Sequence, residues 1–312
     1  MAADRPRYLP FTGDGSRLRM GLRPLDLRQW VEVDEDFDVM WDEQRAVLDS
    51  HHHEVIAVAE QGDRSTTDAC SELLDVLAQH LAETEPQRFT LRGDWVEVAG
   101  HDERIPWRPA ALEASGQHPI EAAGRLTQED WCVQMPDPSG VWRLAAASVC
   151  FPTRWVLGEK IGRSMRVVHD PVTGYESQLA DPVDRFFDQV GVDRPRWRAN
   201  WNLMDDPTLF QPGGKFRTTP SSTLRPDTAG DRVWLRVERQ TLRRLPRTGA
   251  VVFGIRIHQD PLSTLSDRPD DLARLAATIE SLPAGSDLHK SIGVVAPAVL
   301  SWIADRVGRT NG

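Results

Sequence analysis

Two long alternating stretches joined by a four-residue turn limit what this chain can fold into more than any other feature. "RVWLRVERQTLRRL" (232–245) and "AVVFGIRIHQ" (250–259) keep a period of two and are separated by Pro-Arg-Thr-Gly. Side chains alternate across a strand, so the pair reads as an antiparallel hairpin. "DWCVQM" (130–135) and "GVWRLAAASVCF" (140–151), divided by the turn residues of "PDPSG", read as another. Helical periodicity surrounds these strands. Residues 36–50 place Phe37, Met40, Trp41 and Leu48 on one stripe, and residues 65–83 do the same with Leu73, Leu74, Val76, Leu77 and Leu81, behind Thr66 or Thr67 as a cap. Further helices are expected over 181–191, 268–282 and near 287–307. Residues 84–125 look polar, with one short strand at Trp95–Val98, and 203–231 reads as a long functional or mobile loop. Turn-linked strands with helices before, between and after them predict an α+β fold, an antiparallel sheet flanked by helices. No βαβ repetition or strand-linked glycine fingerprint occurs, which disfavours a doubly wound nucleotide-binding fold.

Composition narrows the partners. The 312 residues carry a formal net charge of −10. Phosphate contacts need a basic surface, so neither nucleic acid nor an anionic membrane is an expected partner. The polar start "MAADRPRYLP" and the lack of a long apolar run give no reason to expect a signal peptide or a membrane span. Cys70, Cys132 and Cys150 stand too far apart for a disulfide framework or a zinc knuckle, which points to reduced thiols and a cytoplasmic location. Three cysteines cannot hold a four-cysteine iron–sulfur cluster, and no Gly-x-Ser-x-Gly elbow or P-loop is present. The charge is unevenly spread: acids crowd 32–43, while Arg232, Arg236, Arg239, Arg243, Arg244 and Arg247 crowd the first hairpin.

His169 is the leading candidate for chemistry. It follows an apolar run (Met165, Val167, Val168) and precedes Asp170-Pro171, where a buried segment turns. A neutral imidazole there can offer one nitrogen to a metal while a neighbour fixes the other, or it can be a satisfied core histidine. Alternation puts Arg239 and Arg243 on one face of their strand with Val233, Leu235 and Val237, and Arg236, Glu238 and Gln240 on the other. A buried arginine needs a partner, either a structural acid or the carboxylate of a ligand. "GEKIG" (158–162) sets Glu159 beside Lys160, and "RANWN" (198–202) gathers Arg198 and Trp201. The triplet His51-His52-His53 looks like a metal tract, but consecutive residues on a helix diverge, so a solvated helix end is expected.

Seven stretches together resemble a known family: "RPLDLRQWVEVDEDF" (23–37), "LTQEDWCVQM" (126–135), "VCFPTRWVLGEKIG" (149–162), "VVHDPV" (167–172), "VDRFF" (183–187), "RANWNL" (198–203) and "RVERQTLRRLPRTGAVVFGIRI" (236–257). They are similar to the haem-binding subunit of haem-dependent oxidative N-demethylase. The resemblance implies a PAS-like sheet flanked by helices, with added N- and C-terminal helices. With the prolines and glycines of 1–30 read as an irregular arm and an apolar-periodic helix over 286–312, the resemblance makes 31–285 a PAS-like haem-binding domain with a helical N-terminal part. It implies haem b with iron bound by His169, and O2-dependent, monooxygenase-like demethylation of a small secondary amine such as dimethylamine, releasing formaldehyde. Electrons would come from a separate flavin and iron–sulfur reductase component. Lys160, Arg198, Trp201, Arg239 and Arg243 are then the expected haem contacts, and Glu238, Tyr175 and Glu159 the candidates for handling the amine proton. The chain departs from the family pattern at His289-Lys290-Ser291, where Tyr-Lys-Gly is usual, and in "VTGYE" after the "HDPV" segment. A PAS-like haem sensor without turnover is the alternative implied by the same fold, since fold does not fix function. A third reading is a haem-free protein that holds an organic acid.

Overall fold

The computed structural model describes residues 6–13, 20–59, 64–169, 175–213, 224–285 and 292–310. Its strands are β1 (Arg23–Pro24), β2 (Ile56–Val58), β3 (Phe89–Arg92), β4 (Trp95–Val98), β5 (Arg104–Pro106), β6 (Glu129–Pro136), β7 (Trp142–Ser148), β8 (Arg196–Met204), β9 (Trp234–Arg244) and β10 (Val251–Pro261). Seven of them form one antiparallel sheet in the order β1-β8-β9-β10-β6-β7-β2, and β3-β4-β5 form a small second sheet. Both expected hairpins are there. β9 and β10 pair over their whole length, from Arg244↔Val251 to Trp234↔Pro261. In β6–β7 the register shifts between Val133 and Gln134, a bulge. The fold is α+β, as the order of strands and helices predicted.

Helices cover both faces. α1 (Phe37–Val55) runs past its expected end and kinks at His51, where φ is −133°. α2 (Arg64–Thr84) lays Leu73, Leu74, Leu77 and Leu81 into a core that includes Trp30, Trp131 and Ile120. Residues 84–125 hold more structure than one strand: besides β3–β5 they form α3 (Pro109–Ser115) and α4 (Pro119–Leu126). These elements are too short to show a clear period. α4 is fixed by local chemistry: Pro119 opens it and His118 accepts from the Ile120 N–H at 3.2 Å.

Four short helices, α5 (Leu157–Lys160), α6 (Met165–His169), α7 (Tyr175–Gln178) and α8 (Ala180–Gln189), lie over one face of the large sheet. Their core partners are Cys132, Leu144, Leu242 and Val251 from β6, β7, β9 and β10. After β8 come α9 (Ala229–Arg232), α10 (Pro269–Glu280) and α11 (Ala296–Thr310). Trp302 of α11 shares a core with Leu203, Leu235 and Val237 from β8 and β9. Among the described residues no helix is long and apolar enough to cross a membrane. The three cysteines are buried and unpaired with one another.

Candidate functional site

Between α5–α8 and the sheet lies a cavity of about 470 Å³, within the range of small-molecule and cofactor pockets. Its floor is the even-numbered face of β8 and β9, with Arg198, Asn200, Asn202, Arg236, Glu238, Gln240 and Leu242. The helices contribute Lys160, His169, Tyr175 and an apolar wall from Met165, Val183, Phe186 and Phe187.

His169 ends α6 and is half-buried at the cavity wall. Its Nδ1 lies 2.8 Å from the Met165 carbonyl. A carbonyl can only accept, so Nδ1 carries the proton and, in the neutral ring, Nε2 keeps the lone pair. The Tyr175 ring stacks on the imidazole at 4.6 Å with a 9° tilt between planes. The Tyr175 hydroxyl is buried without a hydrogen-bond partner among the described residues, as is Gln134 Oε1 on the same cavity. Such atoms need a ligand or water to satisfy them. Burial pushes the Tyr175 phenol up to about 12, so it stays neutral. The segment before His169 is helical rather than a buried run, and Val167 is half-exposed.

The floor carries an ordered polar chain. Arg198 Nε donates to Gln240 Oε1 at 2.6 Å, and Gln240 Nε2 donates to Glu238 Oε2 at 2.7 Å. Antiparallel pairing sets Arg198 opposite Gln240 and Asn200 opposite Glu238. Asn200 Nδ2 adds a longer contact to the same Glu238 oxygen, 3.4 Å. Among the described lining residues Glu238 is the acid, beside cations from Arg154, Lys160, Arg198 and Arg236. Arg236 is fully buried and donates to Thr153 Oγ1, Gln259 Oε1 and the carbonyls of Phe151, Thr208 and Leu209. Those five acceptors occupy its donor set, which makes it a brace between two loops. Burial pulls it down to about 10, still cationic at neutral pH.

Next to the braced Thr153 stands Arg154, a buried residue at φ 58°. A non-glycine residue in the left-handed region is uncommon, and such strain gathers at functional sites. Its N–H donates to the Gln211 carbonyl at 2.6 Å. The turn leading to it is secured by the buried Asp130 carboxyl, which accepts from the N–H groups of Cys150 and Phe151. Burial raises Asp130 to about 7 against those hydrogen bonds.

The structure brings six of the expected site residues to this cavity: His169, Lys160, Tyr175, Arg198, Glu238 and Trp201. Trp201 contributes to the lining, yet its indole packs edge-on against Phe11 in the core of the other face. Three residues lie elsewhere. Glu159 is exposed on α5 and outside the lining. Arg239 and Arg243 belong to the opposite face of β9, where Arg239 meets Glu32 at 3.4 Å and donates to the carbonyls of Gln29 and Trp30. Arg243 lies over the Trp30 ring, 4.4 Å from its centroid. The start of the acidic run meets both strands of this hairpin: Glu32 pairs with Arg239 and His258, and Asp34 with Arg256. Sequence reasoning passed over Arg154 and Gln134, and gave Gln240 a strand face but no role. Gln240 could have been found from the even-numbered face of β9, but a positive φ or a bulge leaves no trace in composition.

The histidine triplet diverges, with His51 beside Glu54 and His52 beside Glu121. Asp170–Gly174 and His289–Ser291, where the sequence departs from or completes the resembled motifs, lie outside the described residues. A family model described as haem-dependent oxidative N-demethylase, alpha subunit-like, matches residues 21–300.

Proposed function

The chain belongs to the haem-dependent oxidative N-demethylase, alpha subunit-like family, and from that premise we propose that the cavity over β8–β9 holds haem b and oxidises a small secondary amine. The observation that carries the reading is the fixed tautomer of His169: with Nδ1 donating to Met165, Nε2 is the nitrogen that would hold the haem iron. The cavity's makeup fits the same group. Apolar walls suit a macrocycle, and Lys160, Arg154 and Arg198 suit its two carboxylates. Arg239 and Arg243 have no part in this assignment, because they face the other side of the sheet. A PAS-like label suits an antiparallel sheet whose ligand sits under short helices.

Haem bound there supplies the activation of O2 and the oxidation of an N-methyl carbon. The overall change takes a secondary amine, O2, two electrons and two protons to the primary amine, formaldehyde and water. The electrons come from a separate flavin and iron–sulfur reductase, consistent with an alpha-subunit-like chain that has too few cysteines for its own cluster. The protein's own groups bind, orient and exclude water. Glu238 receives the proton of the substrate ammonium. Tyr175 keeps the His169 ring in plane and offers a neutral hydroxyl. Phe186, Phe187 and Val183 keep bulk water out.

The test is spectroscopic and chemical. Protein expressed with haem supply should show a Soret band that His169→Ala abolishes or strongly shifts. With dimethylamine, O2 and a reductant, the wild type should release formaldehyde. Colourless wild-type protein removes the cofactor assignment. A Soret band without formaldehyde leaves the haem sensor in its place.

A further inference from the structure

Glu238 is held unsymmetrically. Both amide donors that reach it, Gln240 Nε2 at 2.7 Å and Asn200 Nδ2 at 3.4 Å, go to Oε2. Oε1 has no hydrogen-bond partner among the described residues, although Glu238 lines the cavity and is only half-buried. Gln240 itself is 5 % exposed and cannot turn without loss. Its Oε1 must face the Arg198 guanidinium, which only donates, and its Nε2 must then face a carboxylate, which only accepts. The orientation of the amide is thus set by chemistry at both ends.

We propose that Gln240 is a positioning residue that pins one oxygen of Glu238 and presents the other as a binding site for a small protonated secondary amine. This deepens the functional reading above and rests on it for the identity of the amine. A carboxylate oxygen is the natural partner of an ammonium N–H, and Glu238 is the acid among the described lining residues. Arg198 closes the chain from the far side. It keeps the amide from rotating and balances the carboxylate's charge without touching it.

Isothermal titration of dimethylammonium chloride into haem-loaded protein at neutral pH tests this, with the absorption spectrum recorded on each sample. Glu238→Gln and Gln240→Met should each weaken binding about tenfold or more, the size expected from losing a hydrogen bond to a charged group, and both should keep the Soret band. The decisive sample is the double variant. If Gln240 acts through Glu238, Glu238→Gln with Gln240→Met should bind no more weakly than Glu238→Gln alone. Losses that multiply in the double variant, or unchanged affinity in either single variant, overturn the proposal. Glu238→Gln is isosteric and keeps the test open if Gln240→Met fails to fold. A colourless wild type would defeat the haem assignment, while the titrations repeated on that haem-free protein still decide the ammonium site.

Discussion

At the scale of single residues, the cavity wall contrasts groups that are satisfied with groups that are not. Arg236 has its donors filled by five acceptors and serves the fold. The Tyr175 hydroxyl is buried and makes no hydrogen bond among the described residues that would stabilise the ligand-free protein. Tyr175→Phe should therefore leave the unfolding free energy within about 1 kcal/mol of wild type, or raise it. Tyr175→Ala removes the ring that stacks on His169, and the Soret band should weaken or shift. Urea unfolding and an absorption spectrum check both outcomes. A large destabilisation in Tyr175→Phe would show that the hydroxyl has a structural partner.

At the scale of elements, β9 serves two functions through its two faces. The even-numbered Arg236, Glu238, Gln240 and Leu242 floor the cavity, while on the odd-numbered face Leu235 and Val237 pack into the core with α11 and Arg239 meets Glu32. Arg239 and Glu32 form a buried pair, so removing Arg239 leaves the buried Glu32 charge to His258, Arg7 and Tyr8 and strips the Gln29 and Trp30 carbonyls of their donor. Arg239→Ala should cost about 3–5 kcal/mol. The folded fraction should still bind haem with an unaltered spectrum, because the substitution lies across the sheet from the cavity. Calorimetry and haem titration separate the two effects. A lost Soret band in folded Arg239→Ala would put that arginine back at the cofactor.

At the scale of the whole molecule, buried carboxyls pull stability in two directions with pH. Burial raises Glu129 and Asp130 to about 7 and Asp260 to about 6, each above its ordinary value. Glu129 sits beside Arg239, Arg256 and Glu32, and burial outweighs the two arginines. The native state holds these protons more tightly than the unfolded chain, so this stabilisation is full at acidic pH and is lost as pH rises toward 7. Glu32 behaves oppositely. His258, Arg239 and Tyr8 hold it down to about 2 against burial, and Asp34 is lowered beside Arg256. Their contribution is present above about 4.5, the ordinary range of a carboxyl, and is lost as pH falls below it. Glu129→Gln should therefore remove part of the stability loss between pH 5 and 7 relative to wild type, a difference that His80, His118 and His258, lowered by burial in both proteins, do not alter; urea midpoints across pH check this. The same pH dependence in wild type and Glu129→Gln would mean that Glu129 is ionised across this range in the folded protein.

The amino-acid sequence alone determined the periodic parts of this protein. Alternation located both hairpins and sorted β9 into two faces, and 3.6-residue stripes located α1, α2, α8 and α10, because those patterns express local backbone geometry. Motif content led from the same residues to the haem-dependent family. Only the tertiary structure decided which face of β9 carries the cavity. Both faces offer arginines, and the choice depends on which helices fold over which side, a matter of long-range packing that no local period encodes. That is why Arg239 and Arg243 looked like ligand contacts and instead meet Glu32 and Trp30, while Arg154 and Gln240 gained their places from a strained turn and a cross-strand neighbour. The short elements between 84 and 126, and the helices that carry His169 and Tyr175, were hidden for a related reason: four to eight residues make too few turns to show a stripe, and contacts made elsewhere in the fold hold them in shape.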